Sequence, residues 1–139
     1  YSGGGNLSLP IAAHSRKLFG IEQDANAIAD ARDNSARLGL QNVEFIHASA
    51  QTGLETLLRR NVQADVVVLD PPRAGAVEIL KAISQLGATK IVYVSCDPTT
   101  LARDLRRLGQ NGYRVESLQP IDFFPQTYHV ETIAVAVLT

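Results

Sequence analysis

Two hydrophobic rhythms trade places along this chain in a regular order. Short apolar runs at Lys17 to Glu22, Val43 to His47, Asp65 to Leu69 and Lys90 to Ser95 predict strands. Between them, residues recur at helical spacing. Asp24 is placed to cap a helix carrying Ile28, Ala31, Ser35 and Leu38, and Gly39 stops it. Leu54, Leu57 and Leu58 mark a second helix, a third runs from about Val77 to Leu86, and Pro98 opens a fourth over Thr99 to Gln110. A further helix over about residues 7 to 14 follows the turn Gly3-Gly4-Gly5. The runs ending at Leu69 and Ser95 are almost continuously apolar, as expected of parallel strands covered by helices on both faces. The end of the chain differs. Tyr113 to Leu118 and Glu131 to Leu138 read as consecutive strands with no helix between them, which predicts an antiparallel hairpin. The expected fold is α/β, a doubly wound, mostly parallel Rossmann-like sheet closed by that hairpin. A glycine turn that opens a helix normally follows a strand, and Tyr1 stands just before this one. The first strand is therefore expected upstream, and residues 1 to 139 are expected to be a fragment of a longer protein.

Composition narrows the class without changing the fold. The chain has 139 residues, 45% of them apolar and 19% charged, which is enough for one soluble domain with a sizeable core. No apolar run approaches the ~20 residues that span a bilayer, so no membrane partner is expected. The single cysteine excludes an internal disulfide and a multi-thiolate metal site, and fits a reducing cytoplasm. His14 and His47 have no metal-ligand spacing. Arg103, Arg106 and Arg107 share a predicted helix, with Arg59 and Arg60 elsewhere; the ordinary reading of such clusters is a solvated face. A net charge of −1 is not that of a domain that grips nucleic acid alone, so an RNA substrate would be held mainly by segments outside this chain.

The candidate chemistry sits where strands end. Val66-Val67-Val68-Leu69 runs into Asp70-Pro71-Pro72-Arg73, and Val92-Tyr93-Val94-Ser95 runs into Cys96-Asp97-Pro98. Two apolar strands that each end in a reactive or acidic group and a proline point to one site at the carboxyl rim of a parallel sheet. A lone cysteine by itself is more simply a small buried hydrophobe. At the other end, Gly3-Gly4-Gly5-Asn6 permits close backbone approach to a ligand. About twenty residues on, Glu22 ends the next strand, where a carboxylate accepts hydrogen bonds from ribose hydroxyls; the plainer alternative is an exposed loop acid. Ser8 stands where a dinucleotide fingerprint carries its third glycine, and the final strand is antiparallel. Both features suit an S-adenosylmethionine domain better than a dehydrogenase.

Four segments carry a resemblance. Tyr1-Ser2-Gly3-Gly4-Gly5-Asn6-Leu7-Ser8-Leu9-Pro10 resembles the first motif of the bacterial RNA 5-methyluridine methyltransferases, and Asp70-Pro71-Pro72-Arg73-Ala74-Gly75 their central motif. Tyr93-Val94-Ser95-Cys96-Asp97-Pro98-Thr99-Thr100-Leu101-Ala102-Arg103-Asp104 is similar to their nucleophile motif, and Phe124-Pro125-Gln126-Thr127-Tyr128-His129-Val130-Glu131 to their terminal motif. The resemblance spans the chain in order and is closest to the branch acting on uridine in 23S ribosomal RNA. It implies a catalytic domain that uses S-adenosyl-L-methionine, with Tyr1, Asn6, Glu22, Ser49 and Asp70 as cofactor contacts, Cys96 as nucleophile and Glu131 as base. Serine at 49 departs from the longer amide of relatives, and Gly4 stands where they commonly carry another residue. It further implies an upstream RNA-binding β-barrel, a central RNA-contacting region, another cofactor contact and, in many members, an iron–sulfur cluster, all outside this chain.

The chemistry implied needs these groups. Carbon 5 of uracil becomes nucleophilic once a thiolate has added to carbon 6, and a carboxylate must then take the carbon-5 proton. A thiol with pKa of about 8.5 needs activation. The amino end of the helix after Pro98, Arg73 and Arg103 are candidates, while Asp97 would oppose it if turned inward. His129 reads as a loop residue positioning Glu131, and Phe123 and Phe124 as a stacking surface or as hairpin core. Two other readings stay open. An amino-group methyltransferase would use the Asp-Pro-Pro motif without a thiol, although Arg73 replaces the usual aromatic; and the isolated chain could be a folded scaffold without turnover.

Overall fold

The computed structural model describes residues 1–122, 125–126 and 130–139. The chain divides into two compact units, Tyr1–Thr56 and Leu57–Thr139. In the first, α1 (Ser8–Ala12) precedes β1 (Leu18–Glu22), α2 (Ala25–Arg37) and β2 (Val43–His47). The strands pair in parallel, from Leu18 opposite Val43 to Glu22 opposite His47. Asp24 caps α2 as its sequence position predicts, its carboxylate accepting from the N–H groups of Asn26 and Ala27 at 2.8 and 2.9 Å. The helix buries Ile28, Ala31 and Ser35. Ile28 and Ala31 join Leu9 and Phe45 in a small core edged by Leu40 and Val43.

Helix α3 (Ala50–Arg59) leads into the second unit, which holds β3 (Val66–Leu69), α4 (Leu80–Gln85), β4 (Lys90–Ser95), α5 (Pro98–Gln110), β5 (Tyr113–Ile121) and β6 (Glu131–Leu138). Its four strands lie in the order β3-β4-β6-β5. β3 and β4 are parallel, and β6 runs antiparallel to both β4 and β5. The expected hairpin is present, and its second strand lies between β4 and the first. Ile91 and Tyr93 bury on one face opposite Ala136 and Ala134, whose small side chains leave room for the ring. Ile79, Leu80, Ile83, Leu101 and Leu108 complete this core. β5 has one neighbour and is exposed along most of its length, which tolerates Pro120 within it. Among the described residues no helix is long and apolar enough to cross a membrane.

Candidate active site

In the first unit, the glycine turn is tied to the end of β1. The Tyr1 and Ser2 nitrogens donate to the Ile21 carbonyl at 2.7 and 3.0 Å. Gly3 N–H donates to Glu22 Oε2 at 2.9 Å. Gly5 turns the chain into α1 at φ +91°, and a Cβ there would stand 3.0 Å from Leu9, so glycine suits the position twice over. Gly4 has no such constraint, which accounts for the freedom of the middle position.

Glu22 is organised from three sides. Its Oε1 accepts the N–H groups of Gln23 at 2.7 Å and Asp24 at 3.0 Å, beside the Gly3 bond to Oε2. Partial burial pushes its pKa up, but the backbone donors outweigh that and hold the carboxyl below its ordinary value. A carboxylate has roughly four acceptor positions, so capacity remains for a ligand hydroxyl. The exit of β2 closes on the same place, Ala48 N–H donating to the Glu22 carbonyl at 2.9 Å. Tyr1, Glu22 and Ser49 thus gather at one rim. Ser49 is exposed and opens α3: its hydroxyl accepts from Thr52 N–H at 3.2 Å and donates to Thr52 Oγ1 at 3.0 Å. Helix capping alone accounts for a serine here. Asn6 is exposed on the turn.

In the second unit, Asp70, Cys96 and Glu131 stand at one rim because three neighbouring strands end or begin there. Asp70 follows the last residue of β3, and Cys96 the last of β4. Glu131 opens β6, whose direction is reversed. The β4–β6 ladder ends with Ser95 opposite Thr132, so one further step on each strand sets Cys96 across from Glu131. Side chains so opposed have Cβ atoms about 4.5–5.5 Å apart. Both residues are half-buried. Asp70 has the accessible surface of an exposed residue, yet the protein packed around its carboxyl pushes the pKa up; its exposure keeps that effect modest.

The groups around Cys96 separate. Asp97 is turned onto the helix, its Oδ1 accepting from Thr99 and Thr100 N–H, both at 2.9 Å. These bonds, the one from Thr100 first, hold its pKa below the usual value, with the Arg73 charge assisting. Ser95 and Asp97 fix the turn reciprocally, Ser95 Oγ donating to the Asp97 carbonyl and accepting from its N–H. Arg103, expected as a possible activator of the thiol, is committed elsewhere. Its Nε and Nη2 bind Asp104 Oδ1 at 2.9 and 2.8 Å, and Nη2 also donates to the Ala74 carbonyl at 2.7 Å. The first N–H groups of α5 are taken up by Asp97, and Arg73 lends its charge to that carboxylate. Phe123, Phe124 and His129 lie outside the described residues, as do Thr127 and Tyr128.

Asp104 escaped the sequence reading as a residue in its own right. It is fully buried, and its Oδ2 accepts from Tyr93 Oη at 2.7 Å and Ala76 N–H at 2.6 Å. The signal was present: Leu101, Asp104 and Leu108 share the buried stripe of α5, so a carboxylate sits where periodicity demands an apolar side chain.

Comparison with known proteins bears on the fold and the family. Residues 1–137 match the family model described as tRNA (Uracil-5-)-methyltransferase. An uncharacterized RNA methyltransferase of Caldanaerobacter subterraneus is 46% identical over 135 residues, covering 96% of this chain and 30% of that protein. One from Clostridium tetani is 43% identical over 134 residues, 96% of this chain and 29% of the relative. The chain thus spans about three-tenths of the length of these relatives. Among solved structures, the Pyrococcus abyssi tRNA (uracil-54, C5)-methyltransferase in complex with S-adenosyl-L-homocysteine superposes with a TM-score of 0.80 at 35% identity, over 99% of this chain and 33% of that one. A Geobacter metallireducens precorrin-6y C5,15-methyltransferase, 21% identical, shares the fold with a TM-score of 0.77, over 99% of this chain and 76% of that one. The architecture is the class I S-adenosylmethionine-dependent methyltransferase fold, α/β with antiparallel strands at its end. With the family model matching from Tyr1 nearly to the last residue, the chain belongs to the tRNA (uracil-5-)-methyltransferase family.

Proposed function

We propose that this chain is the catalytic domain of an enzyme that methylates carbon 5 of a uridine in RNA, with S-adenosyl-L-methionine as donor. The observation that carries the reading is the β4–β6 register, which brings a thiol and a carboxylate to opposed positions at one rim. The cofactor fits the first unit: Glu22 keeps acceptor capacity for ribose hydroxyls, and Gly3 has no neighbour within 4 Å of where a Cβ would stand. Tyr1, Asn6 and Asp70 are the further contacts assigned to it, with Ser49 the weakest because its hydroxyl already caps α3. When bound, the cofactor supplies the methyl group.

The protein's own residues do the rest. Cys96 thiolate adds to carbon 6 of uracil, forming a carbon–sulfur bond and moving the electron pair into an enolate. Carbon 5 of that enolate takes the methyl group. Glu131 then removes the carbon-5 proton, the carbon–sulfur bond breaks, and the thiolate is released as the ring double bond returns. The amino end of α5 begins two residues beyond Cys96, with Asp97 as its cap. The target base must leave its stack, since both ring carbons need clearance. The net charge of −1 assigns most RNA binding to other segments, in a cytoplasmic setting that suits one free thiol.

The finer reading, a uridine of 23S ribosomal RNA, rests on the motif resemblance; the Pyrococcus relative is described as a tRNA enzyme. The test is to incubate the native protein carrying this sequence with 5-fluorouridine-substituted ribosomal RNA or transfer RNA and S-adenosyl-L-methionine. Fluorine cannot leave as a cation, so the reaction should stall with protein, RNA and methyl group joined at Cys96, and mass spectrometry should locate the adduct. Its loss in Cys96→Ala supports the reading. Turnover retained in Cys96→Ala overturns it in favour of amino-group methylation.

A further inference from the structure

The Asp104 carboxylate joins three separate pieces of the second unit. It lies on α5, receives a hydroxyl from β4 through Tyr93, and receives a backbone N–H from Ala76 at the end of the segment that begins with Asp70. Arg103 adds a second tie, bridging Asp104 Oδ1 and the Ala74 carbonyl. Each carboxylate oxygen accepts two hydrogen bonds, and the group is wholly buried. Gly75 passes so close that a Cβ would stand 2.5 Å from both Asp104 Oδ2 and Arg103 Nη2. A carboxylate is costly to bury in an apolar stripe, and packing alone would be served better by leucine. Its four donors all come from the elements that frame the rim bearing Asp70, Arg73 and Cys96.

We propose that Asp104 is a positioning residue: with Arg103 and Tyr93 it clamps residues 74–76 onto α5 and β4, and so fixes Asp70 and Arg73 relative to Cys96. The part of this that concerns catalysis rests on the uracil methylation reading; the clamp itself does not. Misplacement of a reacting group by about 1 Å can cost a hundredfold in rate, so a tie of this kind is felt in turnover before it is felt in binding. Arg103 is the cleanest handle, because its side chain is 46% exposed and lysine keeps the charge while losing the fork that serves Asp104 and Ala74 together.

The experiment uses the native protein carrying this sequence, with Arg103→Lys and Tyr93→Phe as the main variants and Asp104→Asn as a third. Amide exchange by mass spectrometry follows the peptide over residues 70–76. Turnover is expressed per active site, counted by the adduct burst on 5-fluorouridine RNA. Expected for Arg103→Lys are exchange at Ala76 about tenfold faster, kcat per site about tenfold lower, and KM for RNA changed by less than about threefold. Tyr93→Phe should move both in the same direction by less. Unchanged exchange over 70–76 overturns the clamp. Faster exchange with kcat per site unchanged overturns the positioning role and leaves a merely structural tie. If the unmodified protein forms no adduct, it is the uracil reading that fails, and exchange alone decides the clamp.

Discussion

Gly75→Ala probes the segment after Asp70 at its tightest point, and the second unit contains its own controls. Gly75 lies at φ +81°, a region that side chains occupy at a cost of about 1–3 kcal/mol. Alanine also stiffens the unfolded chain, which offsets about 0.4–1 kcal/mol. Gly112 shares this backbone problem at φ +91° but not the crowding, since its Cβ would meet only Leu138 at an ordinary 3.5 Å. Gly112→Ala should therefore lose about 1–2 kcal/mol. At Gly75 the new Cβ would also collide with a guanidinium nitrogen and a carboxylate oxygen at 2.5 Å, both held by several hydrogen bonds. Overpacking of this kind adds about 1–3 kcal/mol, so Gly75→Ala should lose about 2–5 kcal/mol in all. Gly109, near the end of α5 with nothing within 4 Å, should go the other way and gain about 0.5–1 kcal/mol as alanine. Urea denaturation followed by circular dichroism and by tyrosine fluorescence gives the three values. The order Gly109, Gly112, Gly75 is the prediction. If Gly75→Ala costs the same as Gly112→Ala to within about 0.5 kcal/mol, the clamp is not rigid and the reasoning fails.

Three further substitutions address the two rims. If Glu22 accepts ribose hydroxyls as proposed, Glu22→Gln should weaken S-adenosyl-L-methionine binding about tenfold, read by calorimetry. The same variant tests a linkage: Glu22 has its pKa held down in the fold, so its stabilising contribution is complete above the unfolded carboxylate range and is lost as pH falls through the lower folded value. The acid limb of the urea midpoint should accordingly be shallower in Glu22→Gln, and an identical limb would refute the assignment. Asp97→Ala removes the cap on Thr99 and Thr100 and should lower the urea midpoint in denaturant titration. Glu131→Gln should permit attack and methyl transfer but not proton removal, so a methylated covalent complex should accumulate on ordinary RNA; rapid turnover without that complex would exclude Glu131 as the base.

What was legible in the sequence was local. β2, β4 and β6 fall on their expected bounds because each is a short apolar run set off by polar residues at its start. α4 is shorter than expected, Leu80–Gln85, since residues 77–79 form a turn, closed by Ile79 N–H donating to the Ala76 carbonyl. β5 runs on to Ile121 through Pro120, which a pattern reader takes as a stop; an edge strand with one partner has no second ladder for the proline to break. Pairing was less legible, because the place of β6 between β4 and β5 is set by contacts across the sheet and not by any short segment. Yet that placement is what opposes Cys96 and Glu131.

Asp104 shows the same limit from the other side. In the one-dimensional pattern it breaks the stripe of α5 and reads as a fault between Leu101 and Leu108. In three dimensions it is the only described acidic side chain with no exposure, and the fault is filled by donors from Tyr93, Ala76 and Arg103. Burying such a group is tolerable only when every oxygen is satisfied, so Tyr93 and Ala76, the partners outside α5, must both be in place when α5 docks. The condition that makes the carboxylate tolerable is therefore the condition that sets the segment after Asp70 beside the strand that ends in Cys96. A helix docked by leucines alone could slide against that segment; one docked through Asp104 has a single register.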